Sequence, residues 1–576
     1  MVPHSWIVAT MKMVGVADNV IDLISRSMTK WRTNLYSDDQ FLGKVDINRG
    51  IFQGDSFSPL LFVIALIPLT HVLRETLAGY QLEKNGPMIN HLFFMDDLKM
   101  FGKSENEIDS LVQTVHQCSE DIKMEFGISK CAVVALKKGK SVRSEGIKLP
   151  DGEEMGEPDA NGYKYLGVLE LDKILCKQMK IKVKECYMKR LKLILKTKLN
   201  GRNLFQAINS WAVAVVRYSA AFIGWTKEET KEMDRATRKM LVQYQALHPK
   251  SNVTRLCMRR KEGGRGLISV EECCASEMRS LHYYLANSQE VMLKAVAKKE
   301  GLESNNIEGK EEYNKRVVEE KKKKVKEMKL HGQFEKDTEK MKVGESWNWL
   351  SKGDLKRETE SLLMAAQEQA LNTNSVKKEI YGVIGSEKCR LCGEKVESVT
   401  HIVSACKMLA QKEYKRRHDK VCLNLHWSLC KKYGMEVEEK WYKHKPEAVI
   451  QNEDVKILWD FMIQCDRVIE HRKPDIVVIE KKTNKCFIID VANPGDHNLE
   501  KKKAEKLENY AELRVEVARM WNKDTMVIPV IIGALGSIPK DLNMFLDKLD
   551  IKYELDILQH SVLLGTANIL RKVLAM

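Results

Sequence analysis

Two aspartates in the carboxyl-terminal third of the chain are candidates to hold a divalent metal ion. Asp475 opens one apolar segment, Asp490 closes the next, and Lys481 to Asn484 form a polar turn between them. A symmetric hairpin places these two carboxylates directly opposite each other, with Cβ atoms about 5 Å apart. Facing carboxylates suit a shared Mg²⁺, because this ion prefers oxygen ligands. The alternative is a hairpin with ordinary surface charges.

A predicted helix, residues 499–513, follows this hairpin and carries further groups for phosphate chemistry. Lys503, Lys506 and Tyr510 fall on one face of it, at the spacing i, i+3, i+7. A lysine beside a metal-bound water and a phosphate stabilises the negative charge that develops there. The spacing does not decide between Lys506 and Lys503.

Four sulfur and nitrogen ligands lie within eighteen residues, in the order Cys389, Cys392, His401 and Cys406. A close pair, a short loop and a second pair are typical of a tetrahedral Zn²⁺ site. Gly393 lets the chain turn around the first pair. A chance match in a cysteine-rich chain is the alternative. We predict one zinc knuckle, with an associated helix, over residues 386–430.

A second set of metal-ligating residue types recurs every four residues, at His418, Cys422, His426 and Cys430. On a helix these side chains form one stripe about 18 Å long. Four ligands spread over that length cannot converge on one ion. We therefore interpret the stripe as a partly buried helix face.

Two adjacent aspartates, Asp96 and Asp97, lie at a predicted bend between short apolar strands in the segment HLFFMDDLKMF. Like charges this close repel, so the pair costs stability unless a cation holds it. A solvated turn is the alternative, because aspartate favours turns. Upstream, Gly54 and Asp55 begin a turn ahead of an apolar helix with Pro59 in its first turn, and an ordinary capped core helix is the alternative there.

Four segments of the first 170 residues, taken in order, resemble the palm of a reverse transcriptase. They are Gln53 to Phe62, Phe94 to Asp97, Lys130, and Tyr165 to Gly167. The Gln-Gly-Asp form resembles that of non-long-terminal-repeat retrotransposons. The resemblance implies that Asp96 is the main palm ligand for Mg²⁺ or Mn²⁺ and that Asp97 supports it. It also implies template or nucleotide contacts by Gln53, Gly54, Asp55 and Lys130.

In that family a further essential aspartate belongs to a strand just before a Val-Pro-His segment, and this chain begins Met1-Val2-Pro3-His4. We therefore expect the strand and the fingers region to be missing, and the chain to be the C-terminal part of a longer element-encoded protein. Polymerases use two ions to bridge the primer hydroxyl and the incoming phosphates. Without the third carboxylate, we expect the chain as written not to polymerise DNA.

Helical periodicity dominates residues 171–385. A basic cluster from Arg255 to Arg265 surrounds two glycines and is similar to a stretch of the retrotransposon thumb. The similarity implies that Arg255 and Arg265 contact the phosphates of a nucleic acid, and a solvated loop is the alternative. We interpret the charged helix that begins at Glu311 as part of a linker.

Asp475, Asp490 and a helical lysine together resemble the PD-(D/E)-x-K restriction-like nucleases. The usual lysine of that family lies two residues after the second acidic group, where this chain has Ala492. A lysine moved onto the helix also marks the endonuclease of early-branching, site-specific non-long-terminal-repeat retrotransposons, which carry a cysteine–histidine knuckle between polymerase and nuclease. The resemblance implies a Mg²⁺-dependent endonuclease. Its catalytic residues are then Asp475, Asp490, Lys506 or Lys503, and Tyr510.

The composition agrees with a nucleic-acid partner. The 576 residues carry a net charge of +15, with a pI near 9.0, and a basic chain suits a polyanion. Fourteen cysteines in a long chain that opens with Met-Val-Pro-His indicate reduced thiols and metal binding rather than disulfides. The apolar segment 57–73 contains two prolines and polar residues, so we interpret it as a buried helix rather than a membrane span.

These patterns predict a multidomain protein of α+β and α type. The predicted domains are a truncated reverse transcriptase palm (1–170), a helical thumb (171–290), a helical linker (291–385), a zinc knuckle and helix (386–430), an α/β restriction-like nuclease (440–545) and a C-terminal tail (546–576). We expect a retrotransposon-derived RNA-directed DNA polymerase fragment with a DNA-nicking endonuclease. It would act in the nucleus on an RNA template and target DNA, in target-primed reverse transcription. The alternatives are a nucleic-acid-binding remnant and an endonuclease alone.

Overall fold

The structure is a computed structural model that describes residues 2–124, 127–144, 146–149, 152–302, 307–339, 341–551 and 555–575. The chain divides into two compact units. The first unit comprises Met1–Val183, Ala221–Gly224 and Met278–Glu308, and the second comprises Lys184–Ala220, Trp225–Glu277 and Gly309–Met576. The second unit joins segments that the sequence analysis assigned to separate thumb, linker, knuckle and nuclease domains.

Short antiparallel hairpins alternate with helices over the amino-terminal part of the chain. Each strand there pairs with its neighbour in sequence, which gives two-stranded sheets. The elements are α1 His4–Met13, α2 Asp18–Met28, β1 Arg32–Ser37, β2 Gln40–Asp46, α3 Ser58–Glu75, β3 Tyr80–Gln81, β4 Met88–Ile89, β5 His91–Phe94, β6 Asp97–Met100, α4 Glu105–Asp121, β7 Ala135–Lys137, β8 Lys140–Val142, β9 Ile147–Lys148, β10 Glu154–Met155, β11 Tyr163–Tyr165 and β12 Val168–Glu170.

The core of the first unit forms around the apolar helix α3. Leu61 of this helix is buried against α1, and Leu69 is buried against α4. Phe93 of β5 packs against both clusters, so the β5–β6 hairpin rests on the helical core. By length and composition alone α3 is apolar enough to cross a membrane. That is weak evidence, because the core helices of soluble proteins meet the same criterion.

The middle of the chain is helical, as its periodicity predicts. The helices are α5 Cys176–Leu195, α6 Gly201–Ala207, α7 Val213–Ser219, α8 Lys227–Gln243, α9 Val253–Cys257, α10 Val270–Asn287, α11 Val291–Lys299, α12 Lys310–Glu327, α13 Gln333–Asp337, α14 Val343–Ser346, α15 Asn348–Ser351, α16 Arg357–Gln367, α17 Asn374–Glu379, α18 Lys407–Leu409 and α19 Lys415–Lys432. A π-helical turn, His401–Ala405, precedes α18.

A five-stranded sheet organises the carboxyl-terminal part of the second unit. Its elements are β13 Val449–Gln451, β14 Val455–Trp459, β15 Ile476–Glu480, β16 Lys485–Ala492, α20 Leu499–Asn509, α21 Ala511–Trp521, β17 Asp524–Ile531, α22 Leu542–Lys548 and α23 Leu555–Leu574. The strands lie in sequence order, antiparallel except for the parallel pair β16–β17. A parallel pair needs a crossover connection, and α20 with α21 supplies it.

Helices cover both faces of this sheet. Successive side chains of a strand point to opposite faces, and β16 follows that rule. Phe487 and Ile489 pack with residues of α19 and α23, whereas Cys486 and Ile488 pack with residues of α21. Asp490, one step beyond Ile489, therefore belongs to the α21 face.

The segment 546–576 was predicted as a C-terminal tail, but its described residues, 546–551 and 555–575, contribute to the core instead. Helix α23 buries Leu558, Val562 and Leu570 at under 1% exposure. Thr566 on this helix accepts a hydrogen bond from Arg417 of α19 and donates one to the backbone of Ala534. The helix therefore ties α19 to the loop that follows β17.

Candidate active sites and metal centre

The Asp475–Asp490 pair lies at the open end of the β15–β16 hairpin. The register pairs Ile476 with Ile489 and Val478 with Phe487, so the next positions outward are Asp475 and Asp490. This is the symmetric pairing that a four-residue turn predicts. The hairpin thus brings the two carboxylates to the same end of adjacent central strands.

Asp490 is buried, at 3% exposure, and two side chains hold it. The hydroxyl of Tyr510 donates to its Oδ1 at 2.8 Å, and the Nζ of Lys506 forms an ion pair with its Oδ2 at 2.7 Å. Burial raises the pKa of Asp490, and the charge of Asp475 raises it further, while Lys506 and Tyr510 act in the opposite direction. A cation bound here would offset both the burial and the charge of Asp475, the two effects that oppose ionisation of Asp490.

The structure distinguishes Lys506 from Lys503, which the helical spacing in the sequence left equivalent. Lys506 meets Asp490, whereas Lys503 forms ion pairs with Asp541 at 2.8 Å and with Glu500 at 2.5 Å. Lys506 and Tyr510 are one helical turn apart, so both reach the same carboxylate. Lys503 therefore lies outside the group of side chains on Asp490.

Asp475 is held from the opposite side of the hairpin end. Its Oδ2 accepts a hydrogen bond from the backbone N–H of Val491 at 2.7 Å and contacts the Nε2 of His418 at 3.2 Å. Burial opposes a charge on His418, but the contact with Asp475 raises the pKa of this imidazole to about 9. His418 is therefore cationic at neutral pH and pairs with Asp475.

A cavity of about 1100 Å³ opens beside Asp475, and its lining includes Lys506 but not the buried Asp490. Asp475, His418 and Asn493 are among its lining residues, together with His401 and Ser404. Its wall is strongly basic, with Lys395, Lys415, Arg417, Lys473, Lys502 and Lys506 among the lining residues. The cavity thus joins Asp475 to the cysteine–histidine segment within the second unit.

The four predicted zinc ligands converge. One ligand atom from each of Cys389, Cys392, His401 and Cys406 lies within 4.8 Å of all the others. The Sγ atoms of Cys389 and Cys406 are 3.9 Å apart, and the Sγ of Cys392 lies 3.5 Å from the Nε2 of His401. Three sulfurs and one imidazole nitrogen at these separations fit tetrahedral Zn²⁺.

The backbone around this cluster is fixed by buried polar groups. Tyr414 accepts a hydrogen bond from the N–H of Cys406 and donates to the carbonyl of Ile402. Glu397, fully buried, accepts from the N–H of Arg390 at 2.8 Å and from its guanidinium at 2.7 Å. These contacts hold both ends of the ligand loop. Backbone N–H groups of Lys395 and Glu394 also lower the pKa of the Cys392 thiol, which favours the thiolate.

Asp96 and Asp97 lie at the tip of the β5–β6 hairpin, as predicted from the sequence. Phe94 pairs with Asp97 across a two-residue turn, and Met95 in that turn has a φ of 55°. Both carboxylates are exposed. The hairpin therefore presents two adjacent acidic oxygen donors to solvent.

The other palm residues surround this hairpin in the first unit. Lys99 of β6 forms an ion pair with Glu170 of β12 at 2.6 Å and stacks over the ring of Tyr165. The turn between β11 and β12 has Leu166 and Gly167 at positive φ, as a tight hairpin requires. The hydroxyl of Tyr163 donates to the backbone carbonyl of Lys130, whose side chain is exposed.

The loop that precedes α3 carries the remaining predicted template contacts. Gln53, Gly54 and Asp55 are exposed. Gly54 has a φ of 94° and open space around its Cα, a backbone conformation that favours glycine. The hydroxyl of Ser58 donates to Asp55 at 3.3 Å at the start of the helix.

Comparison with known proteins decides what this hairpin arrangement is. Residues 1–169 match the reverse transcriptase (RNA-dependent DNA polymerase) family. They form a reverse transcriptase domain. The retrovirus-related Pol polyprotein from type-1 retrotransposable element R2 of Popillia japonica is 25% identical over 273 residues, which is 47% of this chain and 44% of that protein. The similarity to the reverse transcriptases of non-long-terminal-repeat retrotransposons is thereby confirmed.

A second relative covers a shorter stretch. An uncharacterized mitochondrial protein of Arabidopsis thaliana is 40% identical over 60 residues, which is 10% of this chain and 49% of that protein. The chain thus spans less than half the length of either curated relative that it matches. The reverse transcriptase domain is the part to which the family match assigns a function.

Two arginines that were predicted to contact nucleic acid are instead buried inside the protein. Arg255 and Arg265 are 0% and 1% exposed. Arg255 donates to the carbonyl of Gly263 and to Gln367 at 2.8 Å, and Arg265 donates to Glu360 at 2.9 Å. The prediction that they follow phosphates is wrong for this structure, because their guanidinium groups are enclosed in the core of the second unit.

The stripe of histidines and cysteines on α19 is a partly buried helix face, as predicted, with His418 half-buried and the other three residues buried, and the four residues do not converge. Each pair, however, meets a third potential ligand from another element. His418 and Cys422 meet Asp475, and His426 and Cys430 meet His444. Neither the contact of His418 with Asp475 nor that of His426 with His444 was predicted from the sequence, because each joins α19 to a separate segment, 57 and 18 residues away. The four-residue spacing was the only signal for them.

Proposed function

We propose that this chain combines its reverse transcriptase domain with a Mg²⁺-dependent, DNA-nicking endonuclease formed by residues 440–545. The observation that carries the proposal is the group formed by Asp490, Lys506 and Tyr510 opposite Asp475. Two carboxylates on adjacent strand ends, with a lysine from the following helix, are suited to phosphodiester hydrolysis. The basic cavity next to them is suited to a DNA backbone.

Asp475 and Asp490 would hold the magnesium ion. The donor set is all oxygen, which this ion prefers, and the raised pKa of Asp490 reflects a carboxylate that gains from a nearby cation. A bound ion would supply a lowered pKa for an attacking water and charge neutralisation at the phosphate. Tyr510 fixes the rotamer of Asp490 through its 2.8 Å hydrogen bond.

Lys506 has a role of its own in the proposed reaction. Its Nζ now pairs with Asp490 and lies at the wall of the cavity. A phosphate beside the carboxylates would share this ammonium group. The fixed positive charge would stabilise the developing negative charge of the transition state.

The four clustered ligands support a structural zinc knuckle at Cys389, Cys392, His401 and Cys406. Its proposed role is to shape one wall of the cavity, since His401 and Ser404 line it. A zinc held there would fix the loop that carries Lys395. The basic side chains on both walls would then contact phosphates without reading sequence.

The two activities fit one reaction sequence. The endonuclease would nick target DNA in the nucleus and free a 3′-hydroxyl, which a reverse transcriptase with a complete set of palm carboxylates would extend on an RNA template. Asp96 and Asp97 would hold the polymerase ions, with Gln53, Gly54, Asp55 and Lys130 near the template and the nucleotide. All six of these residues are exposed in the first unit, which supports contact with these substrates.

A nicking assay tests the endonuclease. Purified full-length protein should convert supercoiled plasmid to the open circular form with Mg²⁺ and should lose that activity in EDTA. Asp475→Asn and Asp490→Asn should each lower the rate by a factor of about 100 or more, since a lost metal ligand removes several kcal/mol of transition-state stabilisation. Asp96→Asn, in the other unit, is the matched control and should nick normally. Nicking that survives in both variants would refute the site.

A further inference from the structure

A compact group of metal-ligating side chains lies in the second unit outside the sites described above. His426 and Cys430 are one turn apart on α19, and His444 follows the short helical turn Trp441–Lys443. One ligand atom from each lies within 4.8 Å of the other two. His426, Cys430 and His444 are 0%, 0% and 9% exposed. Two separate chain segments thus bring three zinc-type ligands together in the interior.

The separations between these atoms approach those of ligands on one zinc ion. With Zn–N of 2.0–2.1 Å and Zn–S of 2.3 Å, a tetrahedral site has about 3.6 Å between sulfur and nitrogen and about 3.4 Å between two nitrogens. The Sγ of Cys430 is 3.6 Å from the Nδ1 of His426 and 3.9 Å from its Nε2, so the ring would have to turn its Nδ1 towards a shared ion. The same Nδ1 is 2.8 Å from the Nε2 of His444. Opening the imidazole pair by roughly half an ångström would therefore complete the geometry.

The surroundings favour a fixed site. The planes of the two imidazole rings are inclined by 23°, with ring centroids 5.1 Å apart, and the Nδ1 of His426 faces the Nε2 of His444 at 2.8 Å. Trp459 of β14 packs edge-on against His426, with ring centroids 5.3 Å apart. The ligands are therefore held by the sheet as well as by the helix.

The first histidine–cysteine pair on α19 provides a contrast. His418 and Cys422 have the same four-residue spacing, but their third neighbour is Asp475. That carboxylate is already bound by the N–H of Val491 and belongs to the proposed magnesium site. The pair His426–Cys430 has an imidazole as its third neighbour instead, and sulfur and imidazole nitrogen are donors that suit Zn²⁺.

We propose that His426, Cys430 and His444 form a second zinc site, distinct from the knuckle. The ion would join α19 to the segment that leads into β13, and a solvent molecule would take the fourth position. His418 lies eight residues before His426 on the same helix, about 12 Å along its axis. The zinc would thus brace the helix that brings His418 to Asp475.

Zinc stoichiometry tests this proposal directly. Full-length protein, purified under reducing conditions and dialysed against metal-free buffer, should contain about two zinc ions per chain by plasma mass spectrometry. Cys430→Ser and His444→Gln should each contain about one. Cys422→Ser is the matched control, since Cys422 is equally buried, at 2% exposure, and has the same spacing to a histidine. It should retain both ions.

A double variant separates this site from the knuckle. Cys389→Ser/Cys392→Ser removes half of the knuckle ligands and should retain about one zinc, lost when Cys430→Ser is added. Cobalt substituted into the double variant should give a tetrahedral d–d spectrum with the weak charge-transfer band of a single thiolate. If Cys430→Ser does not fold, the zinc content of the double variant decides. A double variant without zinc, or a Cys430→Ser protein with as much zinc as wild type, would overturn the second site.

Discussion

Two carboxylate pairs lie on β-hairpins of this chain, and they differ in how the protein holds them. Asp96 and Asp97 lie at the tip of an isolated two-stranded hairpin and are exposed. Asp475 and Asp490 lie at the open end of a hairpin in the middle of a five-stranded sheet. Asp490 is 3% exposed and contacts both Lys506 and Tyr510.

The carboxylates of the two proposed metal sites therefore differ before any ion binds. A packed sheet fixes its carboxylates before the ion arrives, and the cost of burying like charges is offset by Lys506 and Tyr510. A hairpin tip leaves its carboxylates hydrated, so their positions depend on the turn and on what binds. Changes at the buried pair should therefore alter both stability and activity, while changes at the exposed pair should alter activity alone.

The largest effect is expected where buried charge is most tightly paired, at Glu360 in the same unit as Asp490. Arg260 and Arg265 both contact its carboxylate. Glu360→Gln leaves two guanidinium groups without a counter-charge, so the free energy of unfolding should fall by about 3–5 kcal/mol. Urea unfolding near pH 7 measures this change.

The pH dependence of that loss has a definite sign. Burial would raise the pKa of Glu360, but Arg265 and Arg260 outweigh burial and hold it below its ordinary value of 4.5. The stabilising contribution of the ion pairs is therefore complete above pH 4.5 and disappears as the pH falls through the lowered pKa. The difference between wild type and Glu360→Gln should shrink on acidification below pH 4.5. A difference that stays constant there would show that the pairing is not electrostatic.

The next largest effect is expected on the rate of nicking, when each of the two lysines on α20 is replaced in turn. Lys506→Ala removes the ammonium group that pairs with Asp490, and loss of one such group costs about 10²- to 10³-fold in rate. Lys503→Ala removes a lysine of the same helix that pairs with Asp541 instead, and the rate should change by less than about threefold. Single-turnover plasmid nicking at saturating Mg²⁺ measures both. Equal losses in the two variants would mean that the ion pairs described here do not persist in the DNA complex.

Tyr510→Phe should have a smaller effect of the same kind. The variant keeps the ring and removes the hydroxyl that donates to Asp490 at 2.8 Å. A hydrogen bond to a charged group contributes about 1.5–3 kcal/mol, so nicking should slow by roughly tenfold to a hundredfold. The Mg²⁺ concentration for half-maximal rate should rise as well, because Asp490 is no longer oriented. An unchanged rate and unchanged metal dependence would remove Tyr510 from the site.

Local patterns in the sequence were sufficient for features set by short-range geometry. The four-residue turn fixes the register that sets Asp475 against Asp490, and close spacing brings Cys389, Cys392, His401 and Cys406 together. The spacing of apolar residues over 555–574 also indicates a helix, which the interpretation of this segment as a tail overlooked. Such features depend on few residues and short loops.

Contacts between distant segments could not be predicted in this way. Arg255 and Arg265 carry the charge and glycine neighbours of a surface loop, and only the tertiary fold brings Gln367 and Glu360 to them. Lys503 and Lys506 occupy equivalent positions by spacing, and Asp541 distinguishes them. A charged side chain is buried only where a partner of opposite charge is available. For Arg265 that partner is Glu360, about a hundred residues away in the sequence.

The smallest effect is expected at the exposed pair, and it tests the contrast itself. Asp96→Asn keeps the size of a hydrated side chain, so local stability should change by less than about 0.5 kcal/mol. Asp490→Asn leaves Lys506 without its ion-pair partner in a buried position, so local stability there should change by about 1–3 kcal/mol. Hydrogen exchange followed by mass spectrometry, with peptides covering β5–β6 and β15–β16, measures each hairpin separately in metal-free buffer. Equal changes at the two hairpins would show that the palm pair is also held by packing, and the distinction between a fixed and an open carboxylate site would fail.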